Sequence, residues 1–227
     1  KQRIMSDFLK DNLGDWYKPL IKKIDFNIIS YELGKEMSKS IVYPEINNIF
    51  RIFKLLSPKD IKVVILGQDP YHNGQATGIA FGTNSYPLPP SLIIILSELT
   101  NSVYKNESVK YDETLLHWVN QGVFLLNTSL TVRKGSPGSH VHIWREFTKA
   151  VFEVLSEYTG LIYLLWGNNA KSYEKYINPN INHILKAAHP AAETYSKRAG
   201  FYYCNHFVKV NEILTLNNGQ DYTIQWK

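Results

Sequence analysis

Four short runs of nearly unbroken hydrophobic residues constrain this chain more than any other feature. They lie at 61–66, 122–126, 161–166 and 182–187, and the first three carry almost no polar interruption. A parallel sheet covered on both faces needs such runs, because neither side of the pleat meets water. Helix-like stretches at 90–103, 112–120, 144–158 and 170–176 alternate with them. That alternation predicts an α/β fold: a four-stranded, mostly parallel sheet flanked by helices. Asp112 with Glu113 reads as a helix start, and Gly122 follows its end. Residues 1–55 read as helical, with amphipathic stretches at 15–24 and 46–55.

No internal repeat, low-complexity tract or Gly/Ser linker divides the chain, so a single domain over 1–227 is expected, with 1–40 as its helical N-terminal part. Its 227 residues, 44% hydrophobic and 13% aromatic, suit one core and exclude a disordered chain. Cys204 is the sole cysteine, which excludes an internal disulfide framework and a cysteine-only metal site. It fits a reducing, intracellular compartment, with nucleus and cytoplasm left undistinguished. No apolar run approaches the ~20 residues of a membrane span, and residues 1–10 lack the apolar core of a secretory signal. The net charge of +5 admits a polyanionic partner without singling one out.

Ligands of open α/β sheets bind beyond the carboxyl ends of the strands. Here the first run leads into Gly67-Gln68-Asp69-Pro70-Tyr71-His72 and the second into Asn127-Thr128. The third ends at Trp166-Gly167-Asn168-Asn169 and the fourth at Ala188-His189-Pro190. A carboxylate, an amide and a histidine are therefore expected on one rim, although they lie far apart in the chain. Each also has an ordinary reading: Asp69-Pro70 as a turn, Asn127 as a cap, His189 as a solvated loop residue.

The glycine-rich stretch Asn73-Gly74-Gln75-Ala76-Thr77-Gly78 lacks the Gly-Lys-Ser/Thr ending of a P-loop and the dinucleotide G-x-G-x-x-G spacing. Asp69, His72, His140, His142 and His189 could supply metal ligands, but no H-E-x-x-H or comparable spacing occurs. No metal and no cofactor are expected.

At these residues the chain resembles the family 1 uracil-DNA glycosylases. The resemblance is carried by 63–72, Gly74-Gln75-Ala76, Gly78-Ile79-Ala80-Phe81, Pro89-Pro90-Ser91-Leu92, 122–128, Leu130-Thr131-Val132-Arg133, Leu164-Leu165-Trp166-Gly167 and 185–190. Phe201, Cys204, His206, Phe207 and Asn211-Glu212-Ile213-Leu214 extend it, so that it spans 41–214 in order and is faint before that. It implies flipping of uracil out of DNA and hydrolysis of its bond to deoxyribose, leaving an abasic site. By position, Asp69 is implied to orient the attacking water and stabilise positive charge on the sugar. His189 is implied to hold charge growing on uracil O2, and His72 to assist at the water or at Asp69. Asn127 would read uracil N3–H and O4, where cytosine presents the opposite pattern. Tyr71 would exclude a thymine methyl, Phe81 would stack on the base, and the Gln68 backbone would line the pocket.

The DNA-facing set implied by the resemblance is Pro89, Pro90, Ser91, Asn168, Ala191, Glu193, Thr194 and Tyr195. Several depart from the family pattern. Asn168 replaces a serine, Ala191 replaces a phosphate-contacting serine, and Glu193 stands where a leucine wedge is usual. The path from His189 to Gly200 is also longer than in the family, so Tyr195 or a reshaped loop, helped by Lys197 and Arg198, is expected to fill the gap in the duplex. Arg133, Lys134, Lys171, Lys197 and Arg198 are expected near the rim, giving weak, salt-sensitive DNA binding. Expected partners are single- or double-stranded uracil-containing DNA and a protein, either a glycosylase inhibitor or a replication factor; the chain is expected to be a monomer without membrane contact. A DNA-binding or polymerase-accessory protein on the same scaffold is the competing reading. Joint presence of Asp69, Asn127 and His189 favours the enzyme, since binding alone requires none of them.

Overall fold

The computed structural model describes residues 2–196 and 198–227. Its central sheet contains β2 (Val63–Gly67), β3 (Val123–Asn127), β5 (Ile162–Trp166) and β6 (His183–Ala187); β1 (Val42–Tyr43) pairs antiparallel with β4 (Val132–Arg133) in a separate ribbon. All four central strands are parallel, in the order β3-β2-β5-β6. Every residue of β2, β3 and β5 is buried, as their unbroken apolar sequences require. β6 is an edge strand, and Lys186 accordingly reaches solvent.

Helices cover the sheet: α1 (Gln2–Leu13), α2 (Tyr17–Ile21), α3 (Phe26–Met37), α4 (Arg51–Leu55), α5 (Pro90–Ser102), α6 (Leu116–Val119), α7 (Val141–Leu155), α8 (Asn168–Lys171) and α9 (His206–Asn218). The N-terminal helices join the core through aromatic rings. Phe26, Phe50, Phe53, Trp144 and Phe147 meet mostly edge to face, while Trp16 stacks on Phe124 of β3 at 5.2 Å. Each such buried ring contributes roughly 1.5–3 kcal/mol. The buried Trp16 indole also donates to the Leu56 carbonyl at 2.8 Å, so no polar group is stranded in the cluster.

Helix boundaries differ from the sequence expectation where tertiary contacts intervene. In the expected 112–120 helix, only Leu116–Val119 is helical. The Thr83 N–H takes the Glu113 carbonyl, and a Cβ on Gly82 would lie 2.5 Å from the Thr114 carbonyl oxygen. This close approach holds 112–115 out of the helix, and Leu115 turns left-handed at φ 59°. Asp112 still caps the turn, accepting from the Thr114 and His117 N–H groups. The stretches at 15–24, 46–55 and 170–176 are each broken into a short helix and a 3-10 turn. α7 begins three residues ahead of the expected Trp144.

The connection after β2 leads to β3 on one side, and the connection after β5 leads to β6 on the other. The gap between β2 and β5 is thus the topological switch point, where loops leave in opposite directions and open a crevice.

Candidate active site

That crevice holds a cavity of about 310 Å³ lined by residues from four loops. Gln68, Asp69, Tyr71, His72, Phe81, Ser91, Asn127, His189 and Ala191, all named from the sequence, line it together. Asn168 lies instead on an adjoining cavity of about 340 Å³ shared with Gln68 and His189. Pro89, Pro90, Glu193, Thr194 and Tyr195 line neither cavity.

Asp69 lies two residues beyond the end of β2. Its Oδ2 accepts the Gly138 N–H at 2.8 Å, whereas the buried Oδ1 has no partner among the described residues. Burial raises the carboxyl above its ordinary pKa, opposed by the Gly138 bond and the charge of nearby His72. One oxygen is thereby fixed by backbone and the other left to bond a ligand. His72 itself is exposed at the cavity, and its carbonyl accepts the Gly135 N–H at 3.0 Å.

His189 follows β6. The Ala191 N–H donates to its Nδ1 at 3.0 Å, so Nδ1 is unprotonated and the neutral ring carries its proton on Nε2. Burial lowers its pKa, which favours the same neutral form. The result is a neutral imidazole with a single N–H donor at the cavity.

Two glycines make room for these groups. A Cβ on Gly67 would lie 2.3 Å from Asn127 Oδ1, and one on Gly167, already at φ 90°, would lie 2.9 Å from His189 Cβ. Gly67 and Asn127 are register partners across β2 and β3, which brings the Asn127 side chain over the Gly67 backbone. Asn127 is only 8% exposed, and no described residue is hydrogen-bonded to its side-chain amide. Gly67→Ala should displace that amide and lower kcat/KM about 100-fold for the reaction this cavity supports, as measured by steady-state kinetics.

The base-sized face of the cavity is aromatic. Phe81 is held at φ 68°, a left-handed conformation costing on the order of 1–3 kcal/mol for such a residue. The Tyr71 hydroxyl donates to the Phe81 carbonyl at 2.6 Å and pins that turn, while burial drives the phenol pKa well above its usual range. The Phe81 ring sits 5.7 Å from Trp166 and 6.1 Å from His189. The Gln68 carbonyl is committed to the Ser129 N–H and Thr128 hydroxyl. Pro90 opens α5 at a position where its missing N–H costs nothing, and Ser91 follows at the cavity edge.

Glu193 behaves differently from the sequence expectation. Its carboxylate turns inward and accepts the backbone N–H groups of Ala199, Gly200, Phe201 and Tyr202, three of them on Oε1 at 2.9–3.2 Å. Burial alone would raise its pKa, but these four donors outweigh that and lower it. Glu193 therefore anchors the longer loop. Thr194 donates to the Ala191 carbonyl, and Tyr195 stands 90% exposed beyond the turn. A second carboxylate, Glu98 of α5, receives the N–H groups of Tyr203 and Asn205 and continues the anchoring.

Among the expected cations, Arg133 is not free at the rim, because it is ion-paired to Glu36. Lys134 and Arg198 are exposed, Lys171 is half-buried, and Lys197 lies outside the described residues. Neither Glu36 nor Gly138 was expected from sequence; the first lies where the resemblance is faint, and the second acts through its backbone N–H. Among the described residues no group of three or more His, Cys, Asp or Glu side chains could hold a metal ion, and no helix is long and apolar enough to cross a membrane.

Comparison with known proteins gives one answer. The profile of the Uracil DNA glycosylase superfamily matches residues 53–215. A uracil-DNA glycosylase of Buchnera aphidicola subsp. Acyrthosiphon pisum (strain Tuc7) is 46% identical over 197 residues, covering 85% of this chain and 88% of that protein. The crystal structure of mimivirus uracil-DNA glycosylase superposes with a TM-score of 0.86 at 26% identity, over 99% of this chain and 92% of that one. A variant mimivirus UNG in complex with UGI gives 0.85 at 26% identity, over 96% of this chain and 90% of that one.

Proposed function

The chain belongs to the uracil DNA glycosylase superfamily, and from that membership we propose how its own residues perform the reaction. It is a DNA-repair hydrolase that releases uracil from DNA by cleaving the N-glycosyl bond. The nucleotide must leave the base stack to reach a cavity of this kind.

In the proposed mechanism the N1–C1′ bond breaks with its electron pair going to uracil, and a water oxygen bonds C1′. Asp69 Oδ1 orients that water and takes its proton, while the carboxylate charge stabilises the cationic sugar. The His189 Nε2–H donates to uracil O2, where negative charge accumulates, in an oxyanion-hole role. His72 assists at Asp69. Asn127 accepts from N3–H and donates to O4, so cytosine would strand buried polar groups at about 1–3 kcal/mol each. Tyr71 fills the space beside C5, Phe81 stacks on the base, and the Gln68 backbone lines the pocket. The observation that carries this reading is the pairing of Ala191 N–H with His189 Nδ1, because it leaves an Nε2–H donor, not an acceptor, for the departing base.

Around the cavity, Pro89, Pro90, Ser91, Asn168, Ala191 and Thr194 are the proposed backbone-facing set, with Tyr195 as the wedge. Its exposure and the carboxylate-anchored loop behind it support that assignment. The reading includes a single-domain monomer working inside the cell on single- and double-stranded DNA, and a protein inhibitor as partner. The UGI complex of the mimivirus relative supports the last of these.

Release of free uracil from single- and double-stranded uracil-containing DNA, with EDTA present, tests the assignment. Full activity in the chelator is expected; an enzyme silenced by EDTA and restored by a divalent ion would overturn the metal-free mechanism. Tyr195→Ala should slow release from duplex about tenfold while sparing single strands, since only duplex must be unstacked. Equal rates on duplex for variant and wild type would remove Tyr195 from the wedge role.

A further inference from the structure

Beyond the cavity, a connected polar cluster ties together the two ends of the loop 134–139. Glu36, near the end of α3 and 7% exposed, accepts on a single oxygen, Oε1, from both ends of that loop. Arg133 Nη2 precedes the loop and His140 Nε2, at 2.9 Å, follows it. The donors form a directed chain. The Trp144 indole N–H donates to Thr131 Oγ1 at 2.7 Å, Thr131 donates to His140 Nδ1 at 2.8 Å, and His140 Nε2–H donates to Glu36. That sequence needs a neutral His140, which its burial favours. Burial would raise the Glu36 pKa, but its bonds to Arg133 and His140 outweigh this and keep it ionised.

The clamped loop meets the active segment at two points. Gly135 N–H donates to the His72 carbonyl, and Gly138 N–H donates to Asp69 Oδ2. Pro137, between them, lines the cavity. Gly138 has φ 78° and a Cβ there would meet nothing within 4 Å, so no side-chain packing fixes its N–H in direction. Its direction is set by the loop backbone, where Ser136 N–H donates to the Arg133 carbonyl, Ser139 N–H to the Ser136 carbonyl and Arg133 N–H to Ser139 Oγ, and by the two loop ends that Glu36 holds.

We propose that Glu36 is a positioning residue for uracil excision: its carboxylate fixes both ends of the 134–139 loop, and through Gly138 N–H it fixes the Asp69 carboxylate. α3 then serves catalysis as well as packing. The proposal rests on Asp69 acting as described above.

Glu36→Gln keeps the shape but removes the charge that holds two donors on one oxygen. Its kcat should fall about tenfold or more, because sub-ångström displacement of a catalytic group has effects of that size. KM should stay within about twofold of wild type, as substrate contacts are untouched. In the Asp69→Asn background the same substitution should cause no further loss, since its route of action is already cut. An unchanged kcat, or an equal proportional loss with and without Asp69, overturns the proposal. Should Glu36→Gln not fold, Arg133→Lys, which loosens one anchor at a half-exposed site, is measured in the same cycle against the same outcomes. Wild-type activity in Asp69→Asn alone would instead refute the role of Asp69 and leave a distinct signature.

Discussion

Asp69→Asn should lower the rate of uracil release by about 10²- to 10⁴-fold, the range typical of losing a positioned general base. The fold should survive, because an asparagine oxygen can still accept the Gly138 N–H that now binds Oδ2. Stability should even rise at neutral pH. Burial raises the folded-state pKa of Asp69, so the destabilisation is full above that pKa and fades as pH falls from there to the ordinary carboxylate value. A neutral amide never incurs it. Single-turnover release assays and thermal melts on the same preparation separate the two effects. A variant that is both inactive and much less stable would point to a structural carboxylate.

His189→Leu should cost about 10²- to 10³-fold in kcat, the usual effect of removing one oxyanion-hole donor. Leucine keeps volume but supplies no N–H to the leaving base. The two groups also set the response to acid. Asp69 must be ionised, and its pKa lies above the ordinary carboxylate value; His189 must be neutral, and its pKa lies below the ordinary imidazole value. Both requirements hold at high pH and fail on acidification. Activity should therefore fall between about pH 6.5 and 4, bounded by the unperturbed values of the two side chains. In His189→Leu the residual activity should retain only the Asp69 limb, and in Asp69→Asn only the His189 limb. A wild-type rate that falls on raising pH through this window would reverse both assignments.

Asp69, Asn127 and His189 were legible in the sequence because each closely follows an apolar run, and such runs can only be strands buried on both faces. Strand ends are where an α/β sheet opens, so the meeting of these residues at one cavity could be expected before any contact was known. The anchoring contacts of Glu193 were not legible, for an equally physical reason. Its carboxylate satisfies four backbone N–H groups that no sequence pattern announces. Gly138 and Glu36 escaped notice alike: one works through its backbone, and the other lies about 30 residues before Asp69 in a segment readable only as helical. The expected 112–120 helix failed where Gly82 lets the Thr114 carbonyl approach, a contact between segments distant in sequence.

Sequence alone determined the parallel sheet, its strand ends and the side chains able to act there, since hydrophobic run length and residue chemistry are local properties. Tertiary structure decided which proton His189 carries, which oxygen of Asp69 is free, and why residues 67 and 167 are glycine. Those depend on hydrogen-bond partners and ångström-scale clearances between separate loops, and only the packed chain brings such groups within reach.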